Sequence, residues 1–410
     1  MTYGCIGRKL KHSFSKEIHN KLADYSYELI ELEPDDIYDF FINKNFKAIN
    51  VTIPYKETVI AYLDQIDENA KAIGAVNTIV NKDGKLFGYN TDFLGMKLLI
   101  ENAGISLENK KVLILGSGGT SKTAFAVASS LGAKEIKTVS RGNAENFITY
   151  EEAHTIHNDS DIIINTTPVG MFPNINEMAI DIDKFPRLSG VIDAVYNPLR
   201  SLLIVKAKER GISAIGGLYM LVAQAAFACE LFIGESVEDK IDSVYNSLLK
   251  QKENIVLTGM PGSGKTTIGN MLAEKLGMEF IDTDKIIEQN ENRGIPEIIK
   301  NDGEKAFRDI ETKAVFSVSS LQNKVIATGG GVILRDENIR LLKQNGRIYF
   351  LDRNIDDIVP TADRPLSSDY ESLKKRYEER YEIYTKTADK RILNKDAKKT
   401  AEEIIKDFSL

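Results

Sequence analysis

Short apolar runs, each leading through a polar loop into a stretch with helical spacing, recur along most of this chain. Near the N-terminus, Tyr3–Gly7, Tyr27–Leu32, Ala48–Ile53 and Val76–Val80 are predicted strands, with predicted helices over Lys16–Tyr25 and Asp35–Asn43. This alternation predicts an α/β layer with a largely parallel sheet, since parallel neighbours need long crossovers and a helix is the usual one. A second α/β unit starts at the buried-strand pattern Lys111–Leu115. It continues through a helix over Lys122–Leu131 and strands at Glu135–Val139, Asp161–Asn165 and Gly190–Ala194, and an amphipathic helix at Leu218–Gly234 ends this half. The polar stretch Lys250-Gln251-Lys252-Glu253-Asn254 reads as a linker, so the expected domains are 1–249 and 255–410, joined by 250–254. Past it, the apolar run Ile255-Val256-Leu257 and a helical pattern over Thr267–Leu276 open a third α/β unit.

At 410 residues the chain is longer than one core usually covers, which agrees with more than one domain. A net charge of −7 provides no basic field for nucleic acid, so small molecules are the expected partners. Cys5 and Cys229 cannot form a disulfide framework, and His12, His19, His154 and His157 have no metal-ligand spacing. The most apolar stretch, Leu218–Ile233, is short for a bilayer and is interrupted by Gln224 and Glu230. A cytoplasmic protein without a membrane partner is therefore expected. Its oligomeric state is open.

Gly259-Met260-Pro261-Gly262-Ser263-Gly264-Lys265-Thr266 fits G-x-x-x-x-G-K-[ST] between a predicted strand and helix. Such a loop turns backbone N–H groups onto phosphate oxygens, the lysine adds a point charge, and the threonine hydroxyl can ligate Mg²⁺. Gly259, Gly262, Ser263, Gly264, Lys265, Thr266 and Thr267 are thus the expected ATP contacts. Asp282 and Asp284 share a face at a strand end, where they can approach the nucleotide and its metal. The strand Val325–Thr328 closes without an acid, so metal ligation falls to Thr266 and Asp282. In the first half, Gly116-x-Gly118-x-x-Ser121 follows a strand and precedes a helix, as a dinucleotide site requires. The next strand ends in Ser140-Arg141, and arginine suits the 2′-phosphate of NADP better than the diol of NAD. Lys56, Asn77 and Asp92 all fall at loop ends, where α/β sheets place ligands.

His12-Ser13-Phe14-Ser15, Asn50–Lys56, Gly74–Thr78, Asn90-Thr91-Asp92, Asn165–Met171, Asp193-x-x-Tyr196-Asn197-Pro198 and Met220-Leu221-x-x-Gln224 occur in the order found in shikimate dehydrogenases, which residues 1–245 resemble. The resemblance implies a two-lobed fold, with a substrate lobe of about 1–100 plus 216–245 and a Rossmann NADP lobe of about 101–215. It implies that Ser13, Ser15, Thr52, Lys56, Asn77, Asp92, Tyr196 and Gln224 bind 3-dehydroshikimate, with Lys56 and Asp92 catalytic. NADP would be held by Gly116, Ser117, Gly118, Gly119, Thr120, Ser140, Arg141, Thr166 and Gly217. Ser140-Arg141-Gly142 replaces the family's usual Asn-Arg-Thr, which implies a weaker preference for NADP. The altered Phe232-Ile233-Gly234 is expected to affect packing only.

Residues 254–410 resemble shikimate kinases, P-loop proteins of the nucleoside-monophosphate-kinase type, through Asp282-x-Asp284, Phe307-Arg308-x-x-Glu311 and Thr328-Gly329-Gly330-Gly331. The resemblance implies that Asp284, Arg308, Gly329, Gly330, Gly331 and Arg380 hold shikimate, with Asp284 accepting a proton from its 3-hydroxyl. Arg364 resembles a lid arginine and would act with Lys265 on the transferring phosphate. The lid, 356–364, is shorter than the common form, and Pro360 and Thr361 stand where another arginine is often found. Taken together, the two resemblances imply a bifunctional enzyme that makes shikimate and then phosphorylates it. The alternatives are an NAD-dependent quinate or shikimate dehydrogenase fused to a kinase, or a chain in which one half is a non-catalytic ligand-binding remnant.

Overall fold

The computed structural model describes residues 3–11, 13–142, 146–358 and 370–409. The chain divides into two compact units, 1–197 with 206–247, and 198–205 with 248–410.

The first unit holds two sheets. β1 (Tyr3–Gly7), β2 (Tyr27–Glu31), β3 (Ala48–Val51), β4 (Gln65–Ile66), β5 (Thr78–Lys82) and β6 (Lys85–Tyr89) form a six-stranded sheet in the order β2-β1-β3-β5-β6-β4. It is mixed rather than largely parallel, because β5 and β6 form a hairpin and β5 runs antiparallel to β3. The turn between them is Asp83-Gly84, both at positive φ, the backbone that matches the twist of a tight hairpin. One face of the sheet packs Ile6, Ile49, Val51, Ile79 and Leu86 against Ile37, Phe41 and Phe46. The opposite face packs Cys5, Tyr27, Ala48 and Val80 against Ala228 and Phe232.

Ala228 and Phe232 belong to the helix Leu218–Ile233, which is not amphipathic as expected: its buried positions run all round it, from Leu218, Tyr219 and Met220 to Cys229 and Phe232. It lies against the helix Thr91–Asn102, where Gly95 permits close approach; a Cβ there would come within 2.9 Å of the Met220 carbonyl oxygen. This helix does not end the half either, since Ile241–Lys252 forms another.

The second sheet comprises β7 (Lys111–Leu115), β8 (Glu135–Val139), β9 (Ile162–Asn165), β10 (Gly190–Asp193) and β11 (Ser213–Ile215), all parallel, in the order β11-β10-β9-β7-β8. The β8 and β9 strands flank β7 on opposite sides. The crossovers therefore diverge at the end of β7 and open a crevice there.

The second unit is built on β12 (Asn254–Thr258), β13 (Glu279–Asp282), β14 (Lys324–Ala327), β15 (Gly346–Asp352) and β16 (Lys390–Leu393), again all parallel, in the order β13-β14-β12-β15-β16. The central strand β12 is buried throughout, as its unbroken apolar run requires. The residues expected as a linker are regular structure, with the helix reaching Lys252 and β12 starting at Asn254.

Glu253, between them, is buried and accepts from Arg347 Nη2 at 3.0 Å and Arg200 Nη1 at 2.9 Å. Arg200 also donates to the carbonyls of Lys343 (2.6 Å) and Gly346 (2.9 Å), which explains why residues 198–205 count with this unit. Removing the central charge takes the carboxylate from Arg200 and leaves Arg347 with Asp407 alone. Glu253→Gln is expected to destabilise the second unit by about 3 kcal/mol, read as faster amide hydrogen exchange in β12 and β15; unchanged exchange there would contradict this role.

Candidate functional site

In the mixed sheet, β3 and the β5–β6 hairpin deliver Lys56, Asn77 and Asp92 to one place. Asn90 caps the helix Thr91–Asn102, its side chain accepting from Phe93 N at 3.2 Å and donating to Ala75 O at 2.9 Å. That cap sets Asp92 in the first turn, where the helix dipole favours a carboxylate. Lys56 Nζ donates to Asp92 Oδ2 at 2.6 Å, and the two side chains are only 14% and 7% exposed, so water screens the pair little.

Beside them, Asn77 is fixed from both ends. Its Oδ1 accepts from Thr91 N at 2.7 Å, and its Nδ2 donates to Thr91 Oγ1 at 3.0 Å and Gln224 Oε1 at 3.3 Å. Gln224 is held by its own bond to Leu221 O. Ser13 and Ser15 share a hydrogen bond of 3.0 Å, and Phe14 between them lies against the Tyr196 ring with centroids 5.3 Å apart. Thr52 stands one residue past β3, packed so closely on Gly7 that a Cβ there would meet its methyl at 2.6 Å. Burial pushes Tyr196 up to about 12, leaving its hydroxyl a neutral donor. The buried Cys5 thiol, also pushed up to about 12 by burial, feels Lys56 and Asp92 and in turn acts on Tyr196. Cys5 therefore has no reactive thiolate.

The register of β7, β8 and β9 sets Leu115 beside Val139 and Asn165, so Gly116, Ser140 and Thr166 follow side by side at the carboxyl edge. Gly116 has φ of 114°, and a Cβ would fall 2.8 Å from Thr166 Oγ1; only glycine fits. Ser117 follows, Gly118 caps the helix Gly119–Ser130 in extended conformation, and Thr120 lies in its first turn. Gly119 abuts Lys56, an added Cβ meeting the lysine Cβ at 3.4 Å, so the nucleotide crevice opens onto the Lys56–Asp92 pair. Arg141 lies exposed past β8. Gly217 caps the helix Leu218–Ile233 with its backbone against Ala194, where any side chain would overlap the Ala194 carbonyl.

In the second unit, the loop after β12 carries Gly259, Gly262 and Gly264 at positive φ and runs into the helix Lys265–Leu276. Lys265 Nζ donates to the carbonyls of Gly259 (2.9 Å) and Met260 (3.0 Å). Ser263 is buried, and Asn394 donates to its carbonyl at 2.6 Å; Thr267 lines the cavity beside Thr266. Thr266 Oγ1 donates to Asp282 Oδ2 at 3.3 Å, which fits a hydroxyl and a carboxylate sharing one Mg²⁺ with nucleotide phosphates. Among the described residues no cluster of His, Cys, Asp and Glu forms a metal cage, and an ion on these two oxygens needs none.

These groups line a cavity of about 550 Å³ with Asp284, Arg308, Glu311, Gly329, Gly330, Gly331 and Arg380. The Arg308–Glu311 pair, an ordinary surface pair by spacing alone, is a buried ion pair of 2.9 Å, and Arg308 also reaches Glu304 at 3.0 Å. Burial opposes the Arg308 charge, but these carboxylates outweigh it and raise its pKa. Burial raises Asp284 to about 6, with help from Asp282, and raises Glu311 as well. Asp284 Oδ1 and Glu311 Oε1 are buried without a donor, both converging on Gly329, where a Cβ would lie 2.6 and 3.0 Å from them. Arg380 donates to Gly330 O at 3.0 Å, and Tyr384, stacked on Phe350, donates to the same oxygen.

Arg353 and Arg376 also line this cavity and were not singled out in the sequence; the only signal for Arg376 was its spacing of one turn from Arg380. Arg364, Pro360, Thr361 and most of the expected lid lie outside the described residues.

The shikimate kinase family model matches residues 261–409, and the shikimate dehydrogenase substrate binding domain model matches 5–79. Curated relatives include an NADP(+) shikimate dehydrogenase of Clostridium perfringens, 39% identical over 265 residues, covering 60% of this chain and 97% of the relative. Another, from Methanosphaera stadtmanae, is 38% identical over 57% of this chain and 91% of the relative. Solved structures include shikimate dehydrogenase 1 from Peptoclostridium difficile, 33% identical with a TM-score of 0.57, covering 60% of this chain and 97% of that one. A chorismate mutase/shikimate 5-dehydrogenase fusion protein from Clostridium acetobutylicum is 34% identical, TM-score 0.56, over 60% and 96%. These matches fall on the two sites, and the chain belongs to the shikimate dehydrogenase family over its N-terminal three-fifths and carries a shikimate kinase domain after it.

Proposed function

We propose that the chain reduces 3-dehydroshikimate to shikimate at the Lys56–Asp92 site and phosphorylates shikimate at the Asp284 site. The observation that supports the first assignment most directly is a 2.6 Å, largely dehydrated Lys56–Asp92 pair facing Gly119 at the mouth of the dinucleotide crevice. NADPH, when bound, supplies the hydride. Gly116, Ser117, Gly118, Gly119 and Thr120 hold its diphosphate on the helix N-terminus, Thr166 and Gly217 border it, and Ser140 with Arg141 takes the 2′-phosphate. Lys56 presents its ammonium to the ketone oxygen, stabilising the alkoxide and delivering the proton that completes the alcohol, while Asp92 orients it and binds a substrate hydroxyl. Asn77, Thr52, Gln224 and Tyr196 fix the remaining hydroxyls, and Ser13 and Ser15 take the carboxylate. Because Asn77 and Gln224 are already bonded to one another, the site meets its substrate with little reorganisation.

In the second unit, Asp284 accepts the proton of the 3-hydroxyl as that oxygen attacks the γ-phosphorus of ATP and ADP leaves. Its raised pKa suits a base, and its unpartnered Oδ1 is where the hydroxyl proton would go. Arg308 and Arg380 hold the substrate carboxylate, and the backbone of Gly329, Gly330 and Gly331 lines its ring. Mg²⁺ on Thr266 and Asp282 would neutralise phosphate charge. Lys265 and the lid residue Arg364 spread charge over the transferring phosphoryl group. A cytosolic setting suits both small-molecule reactions and the two free thiols. Among the described residues no helix is long and apolar enough to cross a membrane.

Purified protein given 3-dehydroshikimate, NADPH, ATP and Mg²⁺ is expected to oxidise NADPH and accumulate shikimate 3-phosphate. Lys56→Ala should lower reductase turnover by about three orders of magnitude and leave phosphorylation of added shikimate intact, and Lys265→Ala should do the reverse. Loss of both activities from either substitution would defeat the two-site assignment. A Cβ on Gly331 would fall inside the Arg308 guanidinium. Gly331→Ala is therefore expected to raise the kinase KM for shikimate at least about tenfold with reductase rates unchanged, a split visible in parallel steady-state assays.

A further inference from the structure

Four arginines line the kinase cavity, and only Arg308 and Arg380 have a role so far. Arg376 lies on the helix Tyr370–Thr387, four residues before Arg380, and residues at that spacing share a face. Both line the cavity with Arg308, Glu311 and Gly329 to Gly331. Arg308 is committed to Glu311 and Glu304, and Arg380 gives a hydrogen bond to Gly330 O. Arg376 is half-buried and, among the described residues, makes no hydrogen bond or ion pair of its own.

We propose that Arg376 is a second cationic contact for the carboxylate of the acid phosphorylated here, and so a specificity-determining residue of this chain; this rests on the kinase reading above. A half-buried guanidinium with no partner among the described residues carries a desolvation cost that an anion reaching it relieves. Its surroundings say which anion. Burial, followed by the charge of Arg380, holds the Arg376 pKa below the ordinary arginine value, and Arg308 adds to this; Glu304 and Glu379 oppose it only in part. It thus belongs to the arginine end of the cavity, where the substrate carboxylate goes, whereas the nucleotide phosphates have Lys265 and the glycine-rich loop after β12. The planar fork of an arginine there can take one carboxylate oxygen while Arg380 takes the other.

Steady-state kinetics of Arg376→Ala and Arg376→Lys in the full chain test this, with the reductase rate and the KM for ATP measured on the same preparations. Arg376→Ala should raise the KM for shikimate about tenfold while kcat, the KM for ATP and the reductase rate stay within about twofold, and Arg376→Lys should recover part of the loss. Shikimate amide, a neutral analogue, tested as a competitive inhibitor, should bind both Arg376→Ala and the unsubstituted chain equally. An unchanged KM for shikimate, or an equal weakening for the amide, overturns the proposal. A chain with Arg376 intact that fails to phosphorylate shikimate overturns instead the kinase reading on which it stands.

Discussion

Parallel strands cannot be joined by a tight turn, so each connection must carry the chain back along the sheet, and every strand then ends on the same edge. Both five-stranded sheets of this protein obey that constraint, and their chemistry follows from it. The ends of β7, β8 and β9 bring Gly116, Ser140 and Thr166 into one row, although they come from distant parts of the sequence. Similarly, β12, β13 and β14 end in the phosphate loop, in Asp282 and in the turn of glycines that begins at Gly329. In each case the strand that comes first in sequence, β7 or β12, has neighbours laid down on both sides, and the crevice that opens at its end is where the loop glycines are found. The six-stranded sheet departs from the rule, and its departure is useful. The hairpin that reverses β5 against β6 places Asn77 before one strand and Asp92 after the other, close enough for Asn77 to bond with Thr91.

The two sites solve the problem of a buried charge differently. At the reductase site, charge is already matched: Lys56 has Asp92, and Asn77 has Thr91 and Gln224, so polar groups are satisfied before any ligand arrives. At the kinase site, matching is incomplete, with one carboxylate oxygen each of Asp284 and Glu311 buried without a donor among the described residues. An unsatisfied buried group is costly, and the cost is recovered when a ligand supplies the missing partner. That arrangement suits a reaction whose substrates bring both a hydroxyl donor for Asp284 and phosphates for Lys265. It also explains why burial raises Asp284 although Lys265 opposes the shift.

Much of this was legible in residue order because glycine, proline and paired polar residues punctuate the loops that bind ligands. The strands β1, β7 and β8 fall where the apolar runs predict them, and Gly116 and Gly259 occupy positive-φ positions that other residues would strain. What escaped has physical reasons. The hairpin was missed because β6, Lys85-Leu86-Phe87-Gly88-Tyr89, begins with a charge and carries a glycine, although the Asp83-Gly84 turn before it was a strong signal. The helix Leu218–Ile233 is buried all round rather than amphipathic, and its polar Gln224 turns inward to the Asn77 network, which local pattern does not reveal. The polar stretch 250–254 looked like a linker, but Glu253 is buried between two arginines, one of them Arg200, and no local pattern announces a partner that far away. Arg376 was invisible for a related reason: in a helix of alternating charges, only the fold tells which arginine faces a cavity.

Fusing these two activities imposes a chemical condition that neither imposes alone. The acid released by the first site is the ligand of the second, so the same carboxylate and hydroxyls must be read twice by unrelated folds. The groups assigned to it in the first unit are neutral hydroxyls and amides, Ser13, Ser15, Asn77 and Gln224, supported by one ion pair. In the second unit the proposed carboxylate contacts are guanidinium groups, and Arg308 among them is paired with the buried Glu311. Charge-assisted contacts are roughly twice as strong as neutral ones and are screened less where they are buried. With the proposed contacts, the acid would be held less tightly at the site that makes it than at the site that consumes it. Under those assignments the difference in retention comes from the choice of side chains, without any requirement on how the two units are arranged.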